Sequence, residues 1–495
     1  MPVPRLSDAP VVSRARRSVA PASRLVPSDD AAQLHLLRRA TYGPTPESRA
    51  EIARLGTRGW LDAQLNPGAI DDRAVDEFVR RFPGYQRSAE DVYRGGYPAV
   101  EWNLMFDVGR LTLARQIWSR RQLFEVVVDV FNNLLHVACP SSDVWASRQD
   151  YDRTVIRRHA FGSFADMLVD SARNPAMLSF LDNTSSRAGA PNENYARELL
   201  ELHTVGVDAG FTEADVKTGA RLLTGLRISD SGASVFDPAR HDGGGGTVFG
   251  FGYPAHAPAD GFRWIEAYLR WLAVHPATAA RVSRRLAVRF VSDDPPASLV
   301  DRMAQVWRST GAQVVPVLRV LFTSPEFAAS AGAKVRTPQE DFVATLRTLG
   351  TGMEPAGTAG IVKLFWHALD AGHAPMAWGA PNGYPDVAAA WASPSGTLLR
   401  WNRHMDFAGG WYPKELRFVP ATQLLDAVPS TWGGLVDALA LRLIGSPLGA
   451  EERAALLQYT GRGAGTPLGP GDRWVQENLQ YLVALVLDSP TFCTR

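Results

Sequence analysis

The sequence predicts a mostly α-helical protein, with one large multi-helix domain, a small β-hairpin excursion and a flexible N-terminal arm. Three observations predict this class. Over most of the chain, apolar residues recur at three- and four-residue spacings, which is typical of helices that bury one face. Residues 225–258, which we call the excursion, break the pattern, because glycine, aspartate and aromatic residues replace the periodic leucines there. Residues 1–28 are rich in Pro, Ser, Ala and Arg without apolar periodicity, as in a flexible arm.

Length, charge and cysteine content restrict the class of protein further. The chain of 495 residues is long enough to bury a large core, and we assign residues 29–495 to one domain. Its 52 basic and 51 acidic residues balance, so the sequence predicts no nucleic-acid partner and no anionic membrane surface as a partner. Cys139 and Cys493 are too few for a disulfide framework or a cysteine-based zinc site, and we expect free thiols.

The N-terminal residues have part of the pattern of an export signal. Residues 13–17 resemble a twin-arginine signal, but no apolar segment follows them. No apolar run approaches the ~20 residues needed to span a bilayer. The sequence therefore predicts no membrane span and a cytoplasmic location, with an exported protein whose signal peptide is absent from this sequence as the alternative.

Helix-start and turn signals place the elements in order. Ser163, Asn192 and Thr212 each precede a helical pattern and are predicted caps, the last within a Thr-x-x-Asp variant of the capping box. Within the excursion, residues 227–229 and 247–249 are predicted to be the two strands of one hairpin. Five later helices are predicted at residues 262–275, 276–291, 297–309, 314–323 and 337–349.

Residues 192–206 carry the densest set of ionisable and amide side chains on a helical, half-apolar frame. Glu193, Arg197 and Glu201 follow at i, i+4 and i+8, so that two carboxylates flank one guanidinium. A second stripe contains Asn194, Glu198 and Glu201, while His203 lies about 140° round the helix from Glu198. Carboxylates crowded on a half-buried face are candidates for shifted pKa values and for acid–base chemistry.

Two other interpretations of this helix stay open. The first is a structural ion network that holds Arg197 between two carboxylates, with His203 near the helix C-terminus. The second is a divalent metal site, for which Glu198 and Glu201 would need ligands from elsewhere. Their spacing to His203 fits neither a two-histidine zinc helix nor a di-iron Glu-x-x-His helix. We therefore assign no metal ligand and leave the cofactor unspecified.

Two distant segments are predicted to complete a site. His241 and Asp242 lie in the excursion and are interpreted as a second proton-handling pair or as metal ligands, with a plain surface histidine as the alternative. The four glycines after them lack the lysine of a phosphate-binding loop. Residues 371–394 form an irregular aromatic loop in which Trp378 is a candidate binding surface, although burial by loop packing is the alternative.

Two polar clusters lie on predicted helices, and each has two interpretations. Residues 284, 285 and 289 are arginines on one helix and are interpreted as a solvated basic face, with phosphate binding as the alternative. Asn132, Asn133 and His136 end another helix. We expect these groups to satisfy the free carbonyls of that helix end, with ligand binding as the alternative.

Several motifs resemble the bacterial domain-of-unknown-function family 1800. The most specific is the run Asn-Glu-Asn-Tyr-Ala-Arg-Glu-Leu at residues 192–199, and the others are at residues 37–45, 179–183, 211–216, 236–242 and 275–279. The resemblance covers most of the chain. It implies a mostly helical bacterial protein, often exported in its relatives and often encoded beside a sulfatase-like partner. Leu134 and Gly246 stand where the family tends to carry a histidine and a lysine.

Together these observations favour an enzyme. We expect a hydrolase or transferase that acts on a saccharide-like or other polar substrate. The expected catalytic groups are Glu198, Glu201, His241 and Asp242, and the expected substrate-binding groups are Arg197, Asn194, His203 and Trp378. The alternative is a non-catalytic partner or scaffold protein of a sulfatase-like neighbour. The saccharide preference rests on aromatic residues and on the resemblance, not on a mechanism.

Overall fold

The computed structural model describes residues 29–95 and 99–495. The predicted N-terminal arm, residues 1–28, lies outside the described residues. Within them the chain is mostly helical, as predicted, with two small sheets. The helices of the first half are α1 Asp29–Ala40, α2 Pro46–Gln64, α3 Arg73–Val79, α4 Ala89–Arg94, α5 Ala99–Trp118, α6 Gln122–Leu134, α7 Arg148–Tyr151, α8 Phe164–Arg173, α9 Pro175–Phe180, α10 Glu193–Glu198 and α11 Glu213–Leu222.

The second half continues with helices after the excursion. The five later helices that the sequence predicts are observed within one or two residues of their predicted limits. The helices are α12 Gly261–Val274, α13 Pro276–Phe290, α14 Ala297–Ser309, α15 Val314–Phe322, α16 Pro325–Ala328, α17 Pro338–Thr348, α18 Ala359–Asp370, α19 Pro394–Ala408, α20 Trp432–Leu443, α21 Ala450–Thr460, α22 Arg473–Leu487 and α23 Pro490–Cys493.

The predicted caps are confirmed. The side chains of Ser163 and Asn192 accept hydrogen bonds from the backbone N–H groups of Asp166 and Asn194. Thr212 and Asp215 form the reciprocal bonds of a capping box at the start of α11. Such bonds satisfy N–H groups that have no partner within the first turn, which explains why these polar residues begin helices here.

The excursion contains two hairpins, not one. Strand β1 Leu226–Ile228 pairs antiparallel with β2 Ser234–Phe236, and β3 Gly246–Val248 pairs antiparallel with β4 Phe251–Tyr253. The prediction that residues 227–229 and 247–249 pair with each other was therefore wrong. Each strand instead pairs with a neighbour across a short turn. In the second turn Phe249 and Gly250 have φ values of 47° and 93°, as a two-residue hairpin turn requires.

One connected cluster of buried apolar side chains extends from Leu36 in α1 to Phe492 in α23. Both cysteines are free thiols, as predicted. No helix within residues 29–95 and 99–495 is long and apolar enough to cross a membrane. The assignment of residues 29–495 to one domain stays a prediction.

Helix α13 explains how the fold presents charged groups beside its core. Pro276 begins the helix, where its missing N–H costs nothing. Val282, Leu286 and Phe290 recur at four-residue intervals and are fully buried. The arginines at positions 281, 285 and 289 precede them by one residue each and therefore form a neighbouring stripe. This stripe faces the site described next.

Candidate functional site

A cleft of about 800 Å³ lies where five segments of the chain meet. Helices α6 and α13 line it together with residues 205–209, the start of α17 and the aromatic loop of residues 371–394, and Tyr42 and Val300 complete the lining. Its volume falls in the range of about 300–1,000 Å³ that small-molecule sites occupy. Polar or charged side chains from all five segments reach this cleft, and their pairing determines what it can bind.

An ionic cluster that borders the cleft is balanced in charge. Arg289 pairs with Glu340, and the Arg495 guanidinium lies 3.2 Å from the same carboxylate. The buried Lys334 ammonium bonds to Asp386 at 2.9 Å and to Asp293 at 2.6 Å. Burial alone would raise the pKa of Glu340, but Arg289 and Arg495 hold it below its ordinary value. Three cations therefore neutralise three carboxylates, while Nε of Arg289 and Nε and Nη2 of Arg495 are buried without a hydrogen-bond partner among the described residues. The charged groups of this cluster are Arg289, Lys334 and Arg495 with Asp293, Glu340 and Asp386.

Two further arginines line the cleft without a carboxylate partner. Arg281 donates to the Leu202 carbonyl at 3.1 Å, and Arg285 donates to the Asn133 carbonyl at 2.7 Å. No carboxylate in residues 29–95 or 99–495 forms an ion pair with either guanidinium. Burial lowers the pKa of both, that of Arg285 to about 10. The charge of Arg281 adds to the shift of Arg285, whereas the charge of Asp208 opposes the shift of Arg281. The α13 wall therefore presents two cations that form no direct ion pair, although the carboxylates of Asp129 and Asp208 line the same cleft.

Asp129 in α6 lies on the same cleft as these arginines. Its carboxylate accepts no hydrogen bond from any residue that the structure describes. Burial raises its pKa to about 6, with Glu340 and Asp386 adding to the shift and Arg289 and Arg285 opposing it. A carboxyl group with such a pKa exchanges its proton near neutral pH, as general acid–base catalysis requires.

The aromatic loop is fixed against the end of α6. Asn133 accepts a hydrogen bond from the Tyr384 backbone N–H, and His136 donates to the Trp378 carbonyl at 2.7 Å. The side-chain amide of Asn133 also donates to the carbonyl of residue 129 at 3.0 Å. The polar cluster at this helix end is therefore bonded within the protein, and it positions Trp378 on the cleft wall.

His373 contributes an imidazole to the cleft. It is buried and stacks on Trp391 with ring centroids 4.4 Å apart and an interplanar angle of 3°. Burial lowers the pKa of His373 to about 3, so the ring is neutral at physiological pH. A neutral ring can hydrogen-bond a ligand without adding to the positive charge of the wall.

The polar segment that begins at Asn192 forms an ion cluster outside the cleft. Arg197 donates two bonds of 2.7 Å to Glu213, and it lies 3.5 Å from Glu193 and 3.8 Å from Glu201. The predicted stripe is therefore present, but its shortest contacts go to a residue of α11. After Glu198 the helix widens into a π-helical turn over Leu199–His203, so the α-helical angles expected there do not apply.

The other predicted residues of this segment differ in exposure. Glu198 is half-buried, and burial together with the charge of Glu201 raises its pKa. His203 is fully buried, neither of its ring nitrogens has a hydrogen-bond partner, and burial lowers its pKa to about 3. The backbone N–H of Asn194 bonds to the cap residue. The cleft lining includes none of these residues.

His241 and Asp242 are bonded to partners outside the cleft. His241 donates from Nδ1 to the Thr224 carbonyl at 2.8 Å, and its Nε2 lies 2.9 Å from Nε2 of His256. Asp242 accepts two bonds from Arg221, at 3.0 and 3.1 Å. Of the predicted site residues, Trp378 alone lines the cleft, and the catalytic roles assigned to the others stay predictions.

Asp129 and Arg281 were not predicted from the sequence to line a site. A signal for Asp129 existed, because it is an acid within the apolar run of residues 126–131. The basic face of α13 was noticed but was interpreted as solvated. No group of three or more His, Cys, Asp or Glu side chains in the described part of the chain is arranged to hold a metal ion.

The fold and the site define a large helical protein with two small hairpins and an arginine-lined cleft. The family model of the proteins of unknown function DUF1800 matches residues 35–494. The match covers nearly the whole chain, and the protein belongs to this family. No curated protein and no solved structure is significantly similar to it.

Proposed function

We propose that this protein is a hydrolase or transferase that binds an anionic polar substrate in the cleft between α6 and α13. One observation carries the proposal. Among the residues that the structure describes, no carboxylate forms an ion pair with Arg281 or Arg285, and no residue donates a hydrogen bond to the carboxylate of Asp129, which shares the cleft with them. Burial raises the pKa of Asp129 to about 6.

The positive wall favours a substrate with a phosphate, sulfate or carboxylate group. A guanidinium removed from bulk water without a counter-ion is costly, and an incoming anion removes that cost. Arginine also suits such groups because its planar fork donates two parallel hydrogen bonds to neighbouring oxygens. Arg281 and Arg285, one helical turn apart, together form the proposed anion clamp.

Asp129 supplies the proposed acid–base chemistry. In hydrolysis its ionised carboxylate accepts a proton from the attacking water, and the protonated group then returns this proton to the leaving oxygen. In transfer, an acceptor hydroxyl replaces the water. General acid–base catalysis of this kind accelerates reactions by about 10²–10⁴-fold. His373, neutral near pH 7, is the proposed hydrogen-bond partner of the substrate.

Trp378 is the proposed surface for a ring of the substrate. Its ring N–H is bonded to the Asn382 side chain at 2.7 Å, which fixes the orientation of the indole. An indole face packs against the apolar face of a sugar ring as well as against other rings. A saccharide-like molecule with an anionic substituent would use both Trp378 and the anion clamp.

A second set of acid–base groups remains a rival proposal. Glu198 and Glu201 repel each other, and the raised pKa of Glu198 favours a role in proton transfer. Histidine and carboxylate groups of the excursion, His241 and Asp242, belong to the same rival set. The ion pairs of Arg197 and Asp242 instead favour the alternative, a non-catalytic partner or scaffold protein of a sulfatase-like neighbour.

The deciding experiment is a substrate screen with matched variants. Wild-type protein is incubated with nitrophenyl esters and glycosides that carry a phosphate, sulfate or carboxylate group. Asp129→Asn is expected to lose about 100-fold or more of any turnover, whereas Asp143→Asn, in an exposed loop, keeps it. Loss of turnover in Glu198→Gln or Glu201→Gln with full activity in Asp129→Asn would establish the rival set.

A further inference from the structure

A second cavity, of about 240 Å³, lies on the other side of the aromatic loop. Helices α17 and α19 line it together with Trp391 and residue Arg336. Its volume is below the range of about 300–1,000 Å³ that is usual for drug-sized ligands, so a ligand that fills it is small. The cavity does not share the anion clamp of the cleft, and an inference about it is independent of the proposed function.

The charged groups of this cavity are unevenly paired. Arg336 is 8% exposed, its Nη1 is buried without a hydrogen-bond partner, and it forms no ion pair with any described residue. Arg400 likewise has no ion pair within the described residues, and its Nε is buried without a partner. Arg403 differs, because it bonds to His367 at 3.2 Å and lies 3.6 Å from Asp370. Two guanidinium groups are therefore available to an anion.

Asp341 is the single carboxylate in the lining of this cavity, and one of its two oxygens already accepts a hydrogen bond. Oδ2 of Asp341 accepts a hydrogen bond of 2.9 Å from His404, whose other ring nitrogen donates to Asp488 at 2.7 Å. Both ring nitrogens of His404 thus donate to carboxylates, which requires the charged imidazolium. Oδ1 of Asp341 is buried and has no hydrogen-bond partner. The cavity therefore contains an unused acceptor beside the two available arginines.

The remaining walls are apolar. Phe342, Phe407 and Trp391 line the cavity, and the Arg336 guanidinium lies 4.5 Å from the centre of the Phe492 ring. This stacking holds the guanidinium in one orientation. Trp391 also stacks on His373, which lines the cleft, so one indole separates the two sites.

We infer that this cavity is a second binding site, for a small organic carboxylate with an apolar body and a neighbouring hydrogen-bond donor, as in a hydroxy acid or an amino acid. Arg336 and Arg400 bind the carboxylate, and Oδ1 of Asp341 accepts the bond from the donor. Phe342 and Phe407 cover the apolar body. Bidentate arginine bonds and a satisfied buried acceptor are the contacts that give such a site its selectivity.

The inference is tested by calorimetric titration of the full chain with three probes. Phenyllactate has the carboxylate and the donor, phenylacetate lacks the donor, and phenethyl alcohol lacks the carboxylate. Phenyllactate is expected to bind most tightly, and loss of the carboxylate is expected to weaken binding by about tenfold or more. A change of tryptophan fluorescence on binding is expected in wild type and not in Trp391→Phe.

Two variants locate the site. Arg336→Met and Arg400→Ala are each expected to weaken phenyllactate binding by about tenfold or more, and Arg302→Ala, an exposed arginine of α14, leaves it unchanged. Arg400 is half-buried, so its variant serves if Arg336→Met does not fold. Failure of all three probes to bind saturably, equal affinity for phenethyl alcohol, or full affinity in Arg400→Ala would each overturn the inference.

Discussion

The Arg285 guanidinium donates a hydrogen bond of 2.7 Å to the backbone carbonyl of Asn133. Because Asn133 lies in the last turn of α6, this contact places a cation where the helix dipole favours positive charge. It also joins α13 to the helix that carries Asp129. The position of Arg285 relative to Asp129 therefore depends on this contact. The other N–H groups of the Arg285 guanidinium form no ion pair with a carboxylate of the described residues.

Gly383 is expected to be essential for this arrangement. Its φ is +67°, and a Cβ atom there would lie 2.3 Å from the Asn133 carbonyl oxygen, the same atom that accepts the Arg285 bond. Gly383→Ala is predicted to lower stability by about 1–2 kcal/mol and to weaken anion binding. Gly379→Ala, in the same loop with no atom within 4 Å of the added Cβ, is the control. Equal urea midpoints for the two variants would contradict the prediction.

Asp129→Asn is predicted to change stability in a pH-dependent way. The folded pKa of Asp129 is raised from 3.8 to about 6, so its favourable contribution is present below the unfolded pKa and is lost as pH rises through about 6. The variant, which cannot ionise, should be more stable than wild type by about 1–3 kcal/mol at pH 7.5. The difference should vanish as pH approaches 4. Urea denaturation at several pH values measures it, and a constant difference would refute the raised pKa.

His203→Leu is predicted to reduce sensitivity to acid. Because burial lowers the pKa of His203 from 6.5 to about 3, its contribution to stability is present above 6.5 and is lost as pH falls from 6.5 toward 3. The leucine variant should therefore lose less stability than wild type between pH 7 and 5, as measured by thermal unfolding. If the variant instead loses ligand binding at pH 7 while remaining folded, His203 is a substrate-binding residue, as the sequence predicted.

Glu213→Gln is predicted to have a small effect. The Arg197–Glu213 pair is partly exposed, with 31% and 68% of the two side chains accessible, so solvent screens their attraction. Loss of the pair is expected to lower the urea midpoint only slightly, and the difference should shrink further at high salt. Urea midpoints at low and high salt test this. A larger, salt-independent loss would mean that the ion cluster fixes the fold.

Helix positions were predictable because local chemistry determines them. Capping at Ser163 and Thr212 depends on residues three positions apart, and both caps are observed. The partner of Arg197 was not predictable in this way, since Glu213 belongs to another helix. The hairpin error had a similar origin, because two apolar strands were paired while the positive φ values of the intervening turns were overlooked.

Membership of the cleft is a tertiary property. Asp129 lies more than a hundred residues before Arg285, and His373 lies dozens of residues after Arg285. No local pattern joins the three. The pKa of Asp129 depends on burial and on charges from α13 and α17, which sequence spacing does not show. Trp378, which lines the cleft, could be named as a candidate from the sequence because aromatic residues in a loop between helices are a local signal, and its binding role stays a prediction.

The central claim is that Arg281 and Arg285 bind an anion. Its most direct test is calorimetric titration of wild type, Arg285→Ala and the exposed control Arg302→Ala with glucuronate, glucose 6-phosphate and glucose. We predict saturable binding of at least one anionic sugar to wild type and to the control, about tenfold or greater weakening in Arg285→Ala, and no comparable binding of glucose. Equal affinity of wild type and Arg285→Ala for the anions would contradict the account.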